Sequence, residues 1–343
     1  MFSDKSVEDV ILVTQLPRGA WCEGLALRPN GSVLISRLDK AELYTFDAED
    51  PEAEPQVVHS FDAADASGVV GLCRMPGERD EYLALSSVAD LAQVRFSRPI
   101  VWRVALGPDG GAAGAARVTK VAEIAGAGFC IDVVAASERV ALVPDSGAGC
   151  VWRLDLATGA VDLFARDDAM RVAPGDGNFF GINRARLTDE HLWFTNTSAG
   201  TLCRVPVAAV ADDAAVALRP AGPVETLATG LRHCDGLALT RDRRTVYTCC
   251  YTDGHIWRVN LGAEPGAAAA GTPKIVMRDL ASPTLIDLRY VGDRPKVVVV
   301  CCGRVEMAWF HRAESNPWID LATLTEAITI TVEETVEETV EGA

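Results

Sequence analysis

An all-β, six-bladed β-propeller is the architecture this sequence predicts, and three observations predict it. A short phrase recurs six times: Glu42-Leu-Tyr-Thr-Phe-Asp47, Val101-Trp-Arg-Val-Ala-Leu106, Val151-Trp-Arg-Leu-Asp-Leu156, Thr201-Leu-Cys-Arg-Val-Pro206, Ile256-Trp-Arg-Val-Asn-Leu261 and Met307-Ala-Trp-Phe-His311. With Tyr44, Trp102, Trp152, Cys203, Trp257 and Trp309 as equivalent positions, the intervals are 58, 50, 51, 54 and 52 residues, the period of one supersecondary unit used repeatedly. Each phrase follows a run of β-branched and apolar residues, and no segment repeats the long 3.6-residue apolar pattern of a helix.

Within each unit the elements can be taken in order. A short apolar segment opens it behind a small polar motif, as in Glu23-Gly-Leu-Ala-Leu27 and Asp235-Gly-Leu-Ala-Leu239. A second strand follows: Ser32-Val-Leu-Ile-Ser36, Val140-Ala-Leu-Val143, Leu192-Trp-Phe-Thr195, Val246-Tyr-Thr-Cys249 or Lys296-Val-Val-Val-Val300. The marker phrase is the third strand, and turn signals such as Pro29-Asn-Gly31 and Thr158-Gly159 divide the strands, which together describe a propeller blade. Two Gly/Ala-rich insertions, Gly107 to Ala116 and Gly262 to Gly271, are expected to be exposed loops. One domain is expected over residues 1–325, followed at 326–343 by an acidic, partly disordered tail. The first part of that tail, Ile328-Thr-Ile-Thr-Val332, alternates like a strand and is placed to close the ring beside Val10-Ile-Leu-Val13.

At 343 residues and 49% hydrophobic content, the chain can bury a large core. A net charge of −16 argues against nucleic acid as a partner, because phosphate backbones demand clustered Lys and Arg. No apolar run approaches the ~18 residues of a membrane span, and the first ten residues lack the pattern of a signal peptide. A soluble, cytoplasmic protein without membrane contact is the expectation. A closed ring leaves no sheet edge to pair, so a monomer or weak oligomer is expected. Most of the ten cysteines sit in apolar strand patterns, where they behave as small hydrophobes. Gly-x-Gly-x-x-Gly fingerprints, Walker loops and Gly-x-Ser-x-Gly elbows are missing from the sequence, so no nucleotide cofactor and no serine triad are expected.

The innermost strands of a propeller begin around one channel, so polar residues repeated at that point converge in space. Glu23, Asn183 and Asp235 lie 21, 20 and 22 residues before their markers. Three oxygen donors without His or Cys suit a divalent cation such as calcium, while the bland alternative is hydrogen bonding to strand starts. Asp132 falls one residue late in this register. Trp21, Phe129, Phe179-Phe180 and His233 stand immediately before the polar positions. They suggest a channel mouth suited to a bulky apolar small molecule, and His233 beside Asp235 is a candidate acid or base.

These residues resemble the senescence-marker-protein/gluconolactonase/regucalcin-like propellers, over nearly the whole chain to about Asp320. That resemblance implies metal ligation by Glu23 in Cys-Glu-Gly, Asn183 in Gly-Ile-Asn-Arg and Asp235 in Cys-Asp-Gly, with Asp235 as a lactonase base. Arg184 departs from the family, which usually carries Gly there. Further phrases, among them Leu27-Arg-Pro-Asn-Gly31, Val57-Val-His-Ser-Phe61, Phe180-Gly-Ile-Asn183 and Phe194-Thr-Asn-Thr-Ser-Ala-Gly200, are similar to a fungal branch found in secondary-metabolite pathways and including hetero-Diels-Alderases. The implied activity is a cyclase joining a quinone methide-type diene to an alkene, with Trp21, Phe129, Asp132 and Phe180 holding substrate and Asp235, His233 and Arg184 supplying polar chemistry. The alternatives are a metal-dependent lactonase and a propeller that binds a ligand without turning it over.

Overall fold

Alternating apolar residues in short runs become antiparallel strands, and the strands form an all-β propeller. A computed structural model of the chain describes residues 7–17, 20–50, 54–90, 95–107, 116–175, 179–212, 215–262, 271–303 and 325–332. The strands gather into six sheets, five of four strands and one of five. The innermost strands, in chain order, are Cys22–Leu27, Gly68–Arg74, Val134–Ala135, Ile182–Leu187, Cys234–Leu239 and Pro283–Val291. Each packs on the next, and Pro283–Val291 returns to pack on Cys22–Leu27, which closes the ring. One 3-10 turn, Asp168–Met170, is the only helical element among the described residues, and no helix there is long and apolar enough to cross a membrane.

The closing sheet takes strands from both ends of the chain. Thr325–Val332 pairs with Arg294–Cys301 on one side and with Val7–Leu16 on the other, with Val10 opposite Ile330 and Leu12 opposite Ile328. Residue 325 therefore belongs to a strand rather than to a boundary between domain and tail. Residues 333–343, the marker Trp309 with His311, and most of both Gly/Ala insertions lie outside the described residues.

Six apolar layers hold the sheets together, one between each neighbouring pair. The layer between the first two sheets, for example, packs Leu34, Leu43, Val69 and Tyr82, each fully buried. Truncating one such leucine to alanine should cost ~2–5 kcal/mol. All ten cysteines are free thiols, nine of them buried. Burial pushes Cys130, Cys234, Cys249 and Cys302 well above the ordinary thiol range, the environment of inert cysteines.

The repeat has a physical signature that its period alone does not carry. Tyr44, Trp102, Trp152, Cys203 and Trp257 all lie in third strands, and each sits directly at a register shift against the fourth strand. A second register shift recurs on the inner strands, where the pairing slips between Cys22 and Gly24, Val69 and Gly71, Ile182 and Ala185, Cys234 and Leu237, and Pro283 and Leu285. A bulge of this kind bends the strand and re-aims a side chain. Glu23, Val70, Asn183, Asp235 and Thr284 each occupy the first position of such a bulge.

Glycine follows three of those positions, Glu23, Val70 and Asp235, because the next inner strand or its start passes there. A Cβ on Gly24 would lie 2.7 Å from Leu72 Cβ, and one on Gly236 would lie 2.8 Å from both Ile286 N and Thr284 O. Part of the Glu-Gly and Asp-Gly motif is thus a packing requirement.

Candidate functional site

At the centre of the ring the three aligned positions are all buried, with Glu23 6%, Asn183 2% and Asp235 5% exposed. Between Glu23 and Asp235 lies the guanidinium of Arg184, itself 2% exposed. Its Nη2 pairs with Glu23 Oε2, and its Nε stands 3.4 Å from Asp235 Oδ1. Nη1 donates to the backbone carbonyls of Val70 at 3.1 Å and Ile131 at 2.9 Å. One side chain thereby ties together inner strands or strand starts of the first, second, third and fifth sheets from its place in the fourth.

A fixed charge in that position changes what the channel can hold. An arginine stays protonated in a protein, and here Glu23, Asp235 and Asp132 raise its affinity for the proton further against the opposing effect of burial. A divalent ion between Glu23, Asn183 and Asp235 would sit against this cation and compete with it for the same carboxylates, so the donor set does not fit the ion while Arg184 is in place. The same geometry bears on the expected role of Arg184 as a group that polarises substrate: its donors are directed at Glu23, Val70 and Ile131 and its charge at Asp235.

Asp235 has a different character. Burial pushes its carboxyl well above the ordinary range, Arg184 opposes the rise, and the Glu23 and Asp132 charges add to it. Glu23 is also raised by burial, against the pull of Arg184 and a hydrogen bond from Trp21. Burial and the neighbouring carboxylates thus shift Asp235 toward its protonated form. Asp235 Oδ1 and Asn183 Oδ1 are buried without a hydrogen-bond partner. Leaving such atoms unpaired costs about 1–3 kcal/mol each, which marks the floor as a place where a bound group would find partners.

The rim is aromatic. Trp21 Nε1 donates to Glu23 Oε1 at 2.5 Å, so the indole is tied to the floor. Phe129 stacks on Phe96 with centroids 3.9 Å apart and planes 16° from parallel, Phe180 follows at 5.7 Å, and Phe179 lies 4.2 Å beyond Phe180. The four phenyl rings form a continuous row along the second, third and fourth sheets. Phe129 is held from behind by Asp145, fully buried, whose carboxylate accepts from Gly128 N, Phe129 N and Ala148 N at 2.8 to 2.9 Å and from Trp152 Nε1 at 2.9 Å.

Other expected site residues are placed elsewhere. Asp132 is 2% exposed and accepts from Ala185 N at 3.0 Å and Val133 N at 2.9 Å, so its carboxylate braces the third sheet to the fourth. His233, 3% exposed with φ of +51°, places Nδ1 2.7 Å from Thr252 Oγ1 in the turn of the fifth sheet. Two participants carried no strong sequence signal. Phe96 stands at the start of the long strand Arg95–Ala105, whose extension accounts for the 58-residue interval that opens the repeat. Arg186 reaches Asp132 at 3.6 Å and lowers the otherwise burial-raised carboxyl of Asp287, forming a second charged layer. Two grooves of about 390 and 380 Å3, lined by Arg28, Asn30 and Asp80 and by Thr119, Leu156 and Thr158, lie at the other ends of the strands, away from this centre.

Comparison with known proteins adds the following. No family model matches the chain. Over 236 residues the chain is 25% identical to a protein of Sarocladium schorii described as "Putative hetero-Diels-Alderase asR5", a match that takes in 60% of this chain and 56% of that one. The chain therefore spans little more than half the length of the curated relative it matches. Among solved structures, a luciferin-regenerating enzyme superposes with a TM-score of 0.62 at 9% identity, covering 95% of this chain and 96% of that one. The PQQ-bound aldose sugar dehydrogenase of Streptomyces coelicolor gives 0.55 at 16% identity over 95% and 98%. Regucalcin of Agrobacterium tumefaciens, a calcium-binding protein, gives 0.52 at 14% identity over 93% and 95%. At these identities the likeness is one of fold, and a propeller fold hosts many unrelated activities.

Proposed function

We propose that this chain is an enzyme of the gluconolactonase/regucalcin-like propeller group, each of its six sheets serving as one blade, and that it promotes a hetero-Diels-Alder cyclisation of bulky apolar partners at the channel mouth. The observation that carries this reading is the row Phe96, Phe129, Phe180 and Phe179 standing beside a floor whose cation is an arginine. The similarity to the Sarocladium protein supports the same reading.

The chemistry asks little of the protein. A quinone methide offers a C=C–C=O diene and an alkene closes on it, forming one C–C and one C–O bond with no proton or electron to supply. Aligning two such partners can contribute as much as ~7–11 kcal/mol. The aromatic row provides flat apolar surface for that alignment. A protonated Asp235 would donate its O–H to the diene oxygen, where negative charge grows as the new bonds form. Burial and the neighbouring acidic charges favour the proton on Asp235, against the pull of Arg184. Metal-assisted lactone hydrolysis needs instead a cation between Glu23, Asn183 and Asp235 and an ionised base, and Arg184 with a protonated Asp235 disfavours both.

The test is to supply purified protein with an ortho-quinone methide generated in situ and a cyclic terpene alkene. Faster formation of the dihydropyran adduct and a changed diastereomer ratio are expected. Asp235→Asn, which keeps a hydrogen-bond donor but no base, should retain most of that effect. A product ratio equal to the protein-free reaction overturns the proposal, and hydrolysis of a lactone that depends on added calcium and vanishes in Asp235→Asn would establish the alternative.

A further inference from the structure

A second cluster of donor atoms lies in the turn between the second and third strands of the fifth sheet. Cys250 ends Thr245–Cys250, His255 begins His255–Asn260, and the two residues are direct cross-strand partners. Cys250 Sγ, a carboxylate oxygen of Asp253 and an imidazole nitrogen of His255 all lie within 4.8 Å of one another. Cys250 and His255 are buried and Asp253 is exposed, so the cluster meets solvent on one side.

The turn is built rather than incidental. Gly254 takes φ of +66°, its N–H donates to Cys250 O at 3.0 Å, and a Cβ there would fall 2.2 Å from Leu280 O. His255 is 6% exposed, and its Nε2 is buried without a hydrogen-bond partner, an unmet donor or acceptor that a ligand could satisfy. Arg232, with its side chain 63% exposed, lies 3.6 Å from Asp253 on the solvent side.

We propose that Cys250, Asp253 and His255 bind one divalent cation of the zinc class. One thiolate, one imidazole and one carboxylate make a borderline donor set with a fourth position for water, whereas calcium and magnesium call for six or more oxygens. On binding, the Cys250 thiol gives its proton to solvent and the S–metal bond forms in its place. The site shares an end of the ring with the polar centre, because Cys250 is also the cross-strand partner of Cys234, the neighbour of Asp235. An ion there would stiffen the Tyr251–Gly254 turn, and Thr252 in that turn holds His233.

Cobalt(II) added to the reduced full-length protein is the direct probe. One equivalent should bind with a thiolate-to-cobalt charge-transfer band in the near ultraviolet, and zinc should displace it. Cys250→Ser should abolish the band, and Asp253→Asn, an exposed change compatible with folding, should weaken binding by at least the ~10-fold typical of disturbing a metal's surroundings. Asp235→Asn should leave the band unchanged, which separates this site from the polar centre. Folded wild-type protein without the band, a band that survives Cys250→Ser, or undiminished affinity in Asp253→Asn each overturns the proposal.

Discussion

Arg184 and Glu23 stand 161 residues apart in the chain and meet as a buried ion pair at the centre of the ring. Burying two charges costs more than their attraction returns unless further hydrogen bonds complete them, and removing one partner of such a pair typically costs about 3–5 kcal/mol. Here Val70 O, Ile131 O and Trp21 Nε1 complete the set.

Arg184→Met should therefore lose stability in that range when unfolding is followed in urea. Adding Glu23→Gln should recover part of the loss, since the second change removes the stranded charge. A single-variant loss below about 1 kcal/mol, the ordinary worth of an exposed pair, would show that the pair is not holding the inner strands together.

Arg184→Gly carries a different expectation. It removes the cation and leaves Glu23, Asp235 and the unpartnered Asn183 Oδ1 around open space. Calcium should then raise the melting temperature of the variant, by the equivalent of ~2.7 kcal/mol at a hundredfold excess over its dissociation constant, and leave that of the wild type unchanged. Equal response of both proteins would mean that Arg184 does not stand in the ion's place.

The raised carboxyls of Asp235 and Glu23 give a stability that depends on pH in a definite direction. Their unfolded values lie near the ordinary ~4, so the folded chain keeps protons that the unfolded chain releases. This contribution is complete below about pH 4 and is lost as pH rises through the folded values. The stability of the wild type relative to Asp235→Asn should thus decline with rising pH, by at most about 1.4 kcal/mol per unit. A flat difference in denaturation experiments across that window would place the proton elsewhere.

Phe96→Ala should separate catalysis from folding. Phe96 is half-buried at the ring's edge and its stack with Phe129 is worth about 0.5–1.5 kcal/mol beyond area, so unfolding should shift only modestly. Adduct formation should fall roughly tenfold, the effect of ~1.4 kcal/mol at the transition state. Unchanged rate and diastereomer ratio would remove the phenyl row from the reaction.

The repeat was legible because five of the six sheets satisfy the same packing: an aromatic or compact residue at the third-strand bulge and, in two of them, a glycine beside the polar start. The meeting of Glu23 and Asp235 across Arg184 follows from the same regularity, since equal register in separate sheets means one place in space. The reach of Arg184 was not, because its long side chain crosses to Val70 and Ile131, and no local pattern encodes which backbone carbonyls are left to receive it. Phe96 was hidden by a strand extension that only lengthened one interval. Asp145 looked like any strand-end acid, and its task of fixing the Phe129 loop depends on four donors that folding brings to it.

The sheet that joins Val7–Leu16 to Thr325–Val332 imposes an order on biogenesis. Val7–Leu16 has to wait, unmated, until its partner Thr325–Val332 has been made. Until then the sheets on either side of the seam, those of Cys22–Leu27 and Cys234–Leu239, present apolar faces to solvent. The fold thus concentrates its vulnerability to misassembly in the interval before that final zipper forms, when chaperone capture would matter most.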